Sequence, residues 1–281
     1  MKDDRLKAGE PDDQTTLSAE LTCRLGELRI LHPSGTFALT PASLISIQAI
    51  ARHQERLEGI GIDWGTGTGC LAVAAAKIAT VHTVVGLEVS RSNVAIAAEN
   101  AARNGVAGKV AFLLSDSFSP FAADDRELLE SLAGRASFIL ANPPSSEGDD
   151  GFGFRRIVLA GARRYLAQNG VVFLSVSYQY SQRRVERLCQ EVPGYVYSGV
   201  LADTGWVPFD LSRPDLLHCL NLYADEELRG GLEYTFKSPA GDAYMNAQAA
   251  LSDYEETGRS PLSKWQTLLF ELTRTRMPQE P

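Results

Sequence analysis

The 281-residue sequence is poor in the residues that build disulfide frameworks and metal centres. Its four cysteines, Cys23, Cys70, Cys189 and Cys219, lie far apart, and no two form a C-x-x-C pair. That spacing argues against a disulfide scaffold and is expected of reduced thiols in a cytoplasmic protein. The four histidines are scattered, so no metal site is expected. His218 falls in an apolar, strand-like run and is expected to be a hydrogen-bonded core histidine. No apolar run approaches the length of a membrane span, and none serves as the core of a signal peptide in "MKDDRLKAGEPDDQ". A basic excess is also missing. The net charge of −8 argues against strong general nucleic-acid binding but leaves room for a local basic patch. There is no internal repeat or low-complexity segment.

What is present is an alternation of short apolar runs and helical patterns. Residues 1–28 read as a polar tail, 29–225 as one domain and 226–281 as a C-terminal cap. "SLISIQAIARHQERL" has helical period, with Ser43 as its candidate N-cap. Then come strand "GIGIDW", a Gly-rich turn and helix, strand "TVVGLEVS", helix "RSNVAIAAENAARNGV", and strands "KVAFLLSD" and "ASFILANPP". "FGFRRIVLAGARRYLAQNG" reads as a helix with Gly170 at its C-terminal cap, and its arginines Arg155, Arg156, Arg163 and Arg164 as a solvated face. After strand "VVFLSVSY" and helix "QRRVERLCQEV", "YVYSGVLAD" and "LLHCLNLYA" read as late strands, and "SPLSKWQTLLFELTR" as a helix. The pattern predicts an α/β fold: a Rossmann-like, seven-stranded, mostly parallel sheet with helices on both faces and a C-terminal helical extension.

The turn "IDWGTGTGC" places Asp63 at a strand end, followed by Gly65, Thr66, Gly67, Thr68 and Gly69. Glycines permit a sharp turn and close approach of a ligand to the backbone. The next strand ends at Glu88, where a carboxylate can accept both hydroxyls of a ribose. A nucleoside-containing cofactor is therefore expected. Gly67, Gly69 and Ala72 also fit the dinucleotide pattern G-x-G-x-x-G/A. Asp63 favours S-adenosylmethionine instead, because a carboxylate suits a cationic amino group and repels a pyrophosphate.

The second chemical signal is "ANPPSS". Asn142 stands at the end of a strand, and Pro143 and Pro144 follow with fixed φ and no N–H donors. An Asn side-chain oxygen and the Pro143 carbonyl can together accept both hydrogens of an NH2 group and aim its nitrogen at an electrophile. The following "SSEGDDGFG" has the composition of a loop beside the site, either a lid or an ordinary solvated segment.

In order, "DWGTGTGCLAVAAA", "GLEVSRSNVAIAAENAARNGV", "LLSDSFSPF" and "ANPPSS" resemble the class I S-adenosylmethionine-dependent methyltransferases. The likeness covers roughly residues 30–190 and is nearest to release-factor glutamine and related amino-group methyltransferases. It implies that S-adenosylmethionine lies over Gly65–Gly69, with Asp63 near its amino end, Glu88 at the ribose, and Asp116 and Ser117 near the adenine. It makes Asn142, Pro143 and Pro144 the catalytic segment, with Asn142 also beside the cofactor. "GTFALTPASL" resembles the segment bordering the active site. In that family the residue after Asn-Pro-Pro is Tyr or Phe; here it is Ser145. Phe152, Phe154, Tyr178 and Trp206 are candidates to supply the absent ring. The acceptor stays open between a protein amide, a nucleic-acid amine and a small molecule. A non-catalytic S-adenosylmethionine-binding module is a further reading.

Overall fold

The computed structural model describes residues 13–273. Residues 1–12 of the expected tail lie outside this range, but Gln14–Leu17 (β1) pairs antiparallel with Leu28–Leu31 (β2). Helix α1, Pro41–Arg52, starts one turn earlier than Ser43 suggests. Thr40 is its N-cap and accepts the Ser43 N–H, while the Ser43 hydroxyl accepts the Thr40 N–H. Ser43 thus completes a capping box from inside the helix.

The core elements follow the sequence order closely: β3 (Gly59–Trp64), α2 (Cys70–Ala76), β4 (Val81–Glu88), α3 (Arg91–Arg103) and β5 (Val110–Asp116). After β6 (Ser119–Pro120) and α4 (Ala123–Glu130) come β7 (Ala136–Ala141) and α5 (Gly153–Tyr165). Helix α5 ends at Tyr165, and Gly170 lies within strand β8, Leu166–Ser175, instead of capping a helix. The chain continues through α6 (Ser181–Glu191), β9 (Tyr195–Asp203) and β10 (Val207–Pro208).

Two late assignments change places. The run 216–224 lies in helix α7, Pro214–Leu228, not in a strand. Pro at the first helical turn and buried Leu220, Tyr223, Ala224 and Glu227 at helical spacing account for it. His218 faces solvent on this helix rather than the core. After β11 (Phe236–Lys237), β12 (Tyr244–Met245), α8 (Ala247–Thr257) and β13 (Leu262–Ser263), the stretch expected to be helical forms strand β14, Gln266–Leu272.

The main sheet has the order β6-β5-β4-β3-β7-β8-β14-β9. It comprises seven long strands and a two-residue edge. The segment from β5 to β8 is parallel, and β14 runs antiparallel between β8 and β9. Side chains alternate between faces as strand geometry requires. Ile139, Val172, Leu174, Leu268 and Phe270 join α4–α8 in one core, while Phe138, Leu140, Val171, Phe173 and Leu269 join α1–α3 in the other. Strands β10, β13, β11 and β12 form a separate small sheet. The chain runs outward from β3 to β5 and returns to β7 on the other side of β3. That reversal opens a crevice at the carboxyl ends of β3 and β7, where ligands bind in such sheets.

Candidate active site

Two cavities meet in that crevice. The first, about 290 Å³, is lined by Phe37, Asp63, Trp64, Gly65, Thr66, Gly67, Leu71, Glu88, Val89, Asn93, Asn142, Pro144 and Phe154, with Ser43 and Cys70. The turn after β3 takes left-handed backbone at Gly65 (φ 62°), Gly67 (φ 56°) and Gly69 (φ 83°). Gly69 has a packing reason as well, because a Cβ there would sit 2.9 Å from that of Ala97.

Asp63 is buried at the end of β3. Its Oδ2 accepts the Thr66 hydroxyl and the Ala72 N–H at 3.0 Å, but Oδ1 has no partner. Burial pushes its carboxyl up to about 7 against those two hydrogen bonds, and the nearby Glu88 charge adds to the rise. Burial likewise raises the Cys70 thiol to about 12, so Cys70 is no nucleophile. Glu88 fastens the turn to β4: Oε2 accepts the Gly67 N–H at 2.9 Å, and Oε1 accepts from the Ser90 N–H and Asn93. A carboxylate offers about four lone-pair sites, and with three occupied Glu88 retains one, on Oε2, for a hydroxyl.

This donor set fits S-adenosylmethionine. Asp63 presents an orphaned, buried carboxylate oxygen of the kind that suits an ammonium, Glu88 on the adjacent strand keeps one acceptor site of the kind that suits a hydroxyl, and Phe37, Leu71, Val89 and Phe154 offer apolar walls. Thr68 and Gly69 shape the turn without lining the cavity; the Thr68 hydroxyl instead donates to the Phe37 carbonyl at 3.2 Å. Asp116 is exposed at the end of β5 and Ser117 follows at φ 53°. Neither lines the cavity, but the Ser117 hydroxyl accepts the indole N–H of Trp64, which does.

The second cavity, about 230 Å³, lies across Asn142 and is bounded by Pro143, Pro144, Ser145 and Arg155 together with polar Thr40, Ser175, Ser177 and Gln179. Phe37, Asn142 and Pro144 line both cavities. The Asn142 amide donates to the Ser43 hydroxyl at 3.4 Å. The aromatic walls are Phe37, Tyr180, Phe209, Tyr223 and Trp265. The rings proposed from sequence lie elsewhere: Phe152 is fully buried, Phe154 lines the first cavity against Trp64, and Tyr178 packs edge-on against Trp206 outside both. Tyr223 and Trp265 escaped notice because they sit in the two segments whose secondary structure was exchanged.

Arg155 is a second correction. It is buried, not solvated, and its guanidinium donates to four carbonyls: Ser175, Gly151, Pro144 and Pro143. The rings of Phe152 and Tyr180 lie 5.2 and 5.0 Å from it. Its neighbours on the helix do remain near the surface, where Arg156 pairs with Asp150 and Glu191 and Arg164 with Glu130. The loop after Asn-Pro-Pro is held by its own side chains, with Asp149 accepting from the Ser146 hydroxyl and the Gly151 N–H.

Among the described residues, no cluster of potential metal ligands occurs and no helix is long and apolar enough to cross a membrane. The chain is 27% identical over 179 residues to the release factor glutamine methyltransferase of Thermodesulfovibrio yellowstonii, covering 55% of this chain and 60% of that one. To the ribosomal protein uL3 glutamine methyltransferase of Xanthomonas campestris pv. campestris it is 28% identical over 240 residues, 75% of this chain and 70% of the relative. The first curated relatives are thus matched over less than two thirds of their own length. A solved tRNA methyltransferase from M. jannaschii shares the fold at a TM-score of 0.51 and 11% identity, over 95% of this chain and 59% of that one. The methyltransferase small domain pattern matches residues 27–193, more than half of the sequence, and the chain belongs to that family.

Proposed function

We propose that the protein is an S-adenosylmethionine-dependent methyltransferase acting on an acceptor nitrogen held by Asn142 and the Pro143 carbonyl. One observation carries the reading: Asn142 stands in the wall shared by a cavity with an orphaned acidic oxygen and a second, aromatic-walled cavity. The cofactor supplies an electrophilic methyl carbon on a sulfonium, which is already a good leaving group. Asp63 binds its ammonium, Glu88 accepts a ribose hydroxyl, and Trp64, held by Ser117, borders its cavity. The Asn142 side-chain oxygen and the Pro143 carbonyl accept the acceptor's N–H bonds and point its lone pair across the shared wall. Positioning, not a strong base, is the protein's contribution.

The acceptor cavity favours a small reacting group, being below the ~300–1,000 Å³ usual for drug-sized ligands. A protein amide, a nucleic-acid amine or a small molecule would present such a group. Phe209, Tyr223 and Trp265 lie outside residues 27–193, so more than half of the acceptor cavity's aromatic wall is supplied from beyond the family pattern.

The test is methyl transfer from labelled S-adenosylmethionine into separated protein, RNA, DNA and small-molecule fractions, with cofactor affinity measured by calorimetry. Asn142→Ala should abolish transfer and leave cofactor affinity within a few-fold. Binding of a nicotinamide dinucleotide in place of S-adenosylmethionine would overturn the cofactor reading. Undiminished transfer by Asn142→Ala would overturn the role of Asn142.

A further inference from the structure

Beside the acceptor cavity, the small sheet presents a surface of a different chemical kind. Two ammonium groups lie over one indole: Lys237 Nζ is 4.8 Å and Lys264 Nζ 4.9 Å from the Trp206 ring centroid. The same lysines reach Tyr244 at 5.3 Å and Tyr178 at 5.5 Å. The three rings form a row, with Tyr178 and Tyr244 packed edge-on against Trp206 at 4.8 and 6.1 Å. Tyr244 is 63% exposed. Neither lysine has a carboxylate partner among the described residues. Two like charges gathered on one ring, in a chain of net charge −8, are a local concentration that an anion would relieve.

The row adjoins the acceptor cavity through the chain itself. Tyr178 lies between Ser177 and Gln179, and Lys264 precedes Trp265; all three neighbours line that cavity. Trp206, Lys237, Tyr244 and Lys264 fall outside residues 27–193, so the surface lies beyond the span of the family pattern.

We infer that this row binds a single-stranded nucleic acid segment, with phosphates at Lys237 and Lys264, which Trp206 holds together, and a base stacked on the exposed Tyr244. Ammonium groups interleaved with aromatic rings are the combination that holds single strands without reading their sequence. A duplex hides its base faces, and an acidic peptide would use the charges but leave the rings idle. The assignment concerns binding and holds whether or not the strand supplies the acceptor nitrogen.

The test is fluorescence anisotropy of the full chain with a labelled, mixed-sequence single-stranded RNA of about 12 nucleotides, within the usual site size. Saturable binding is expected, with log K falling against log salt at a slope of about −1.4 for two phosphates on a single strand. The Lys237→Gln/Lys264→Gln double variant should flatten that slope to near zero. Tyr244→Ala should weaken binding at least about five-fold, and Tyr244→Phe should restore most of the loss. If Tyr244→Ala fails to fold by circular dichroism, the lysine double variant carries the test, since it leaves the ring row intact. Absence of binding, equal binding of duplex RNA, displacement by poly-glutamate, or a salt slope unmoved by the lysine variant would each overturn the inference.

Discussion

The guanidinium of Arg155 donates to the carbonyl of Pro143 at 3.4 Å, from within the fold, on the segment that also carries Asn142. The same cation holds the Pro144 carbonyl at 3.3 Å and the Gly151 carbonyl at 2.9 Å. Prolines contribute no N–H of their own, so Arg155 fixes the directions of both carbonyls. One lone pair of the Pro143 oxygen is occupied, and the other stays available to an acceptor. Arg155→Met should lower the free energy of unfolding by about 3 kcal/mol, because buried carbonyls lose charged donors and the methionine offers none. Urea denaturation measures this. Arg155→Lys should recover only part, since one ammonium cannot reproduce the fork of N–H groups.

Asp63 makes the protein sensitive to pH near neutrality. Its folded pKa of about 7 lies above its ordinary value of 3.8, so the folded state holds the proton more tightly than the unfolded one. The stabilisation is therefore complete below about pH 4 and lost as pH rises through 7, a change of about 4 kcal/mol for a fully buried carboxyl. Asp63→Asn should remove that dependence, read as unfolding free energy against pH in the absence of ligands. An ammonium at Oδ1 favours the charged carboxylate, so S-adenosylmethionine affinity should rise between about pH 5.5 and 7 and release a proton. Calorimetry in buffers of different ionisation heat would register that proton. A flat profile in the parent protein would rule out Asp63 as the ammonium's partner.

Two of the turn glycines should respond differently to alanine. Gly65 and Gly69 both have left-handed backbone, which costs a side-chain-bearing residue about 1–2 kcal/mol. Around Gly65 nothing lies within 4 Å of the added carbon, so Gly65→Ala should cost about that much and no more. At Gly69 the new carbon meets the Ala97 Cβ at 2.9 Å and the Ala97 Cα at 3.2 Å, in a helix that cannot retreat freely. Gly69→Ala should lose about 1–3 kcal/mol beyond the strain of the turn. Thermal melts of the two variants make the comparison directly.

The parallel half of the fold was legible because each of its signals is local. Gly65 to Gly69 announce a turn, Asn142 and Pro143 end a strand, and the runs between them alternate cleanly in period. The antiparallel end was not legible, since a short apolar run such as "QTLLFEL" has no period that separates helix from strand. Its assignment is decided by the slot between β8 and β9, a fact of tertiary structure. The misreading of "LLHCLNLYA" is different, because Pro214 and the spacing of Leu220, Tyr223 and Ala224 were present as helix signals. Arg155 was hidden for another reason: its burial depends on carbonyls contributed by residues 143, 144, 151 and 175, which no pattern along the helix reveals.

Phe37 stands where the two cavities join, and it is 45% exposed. Its backbone is held on both sides, by Asn93 accepting its N–H and by Thr68 donating to its carbonyl. The ring therefore sits on a fixed stem while one side faces solvent. Where Ser145 replaces the expected aromatic, Phe37 is the ring left to cover both the cofactor and the acceptor. A half-exposed ring contributes only modestly to folding, so Phe37→Ala should change unfolding free energy by about 1 kcal/mol. Its effect on ligands should be larger, weakening S-adenosylmethionine binding and raising the acceptor KM together, each by about five- to ten-fold. Ser145→Tyr adds a ring on the acceptor side alone and should restore acceptor KM in the Phe37→Ala background without restoring cofactor affinity. Steady-state kinetics and calorimetry on the single and double variants separate the two contributions. If Phe37→Ala lowered stability sharply and left both ligands unaffected, the ring would be part of the packing of the Gly67 turn and not a wall of the site.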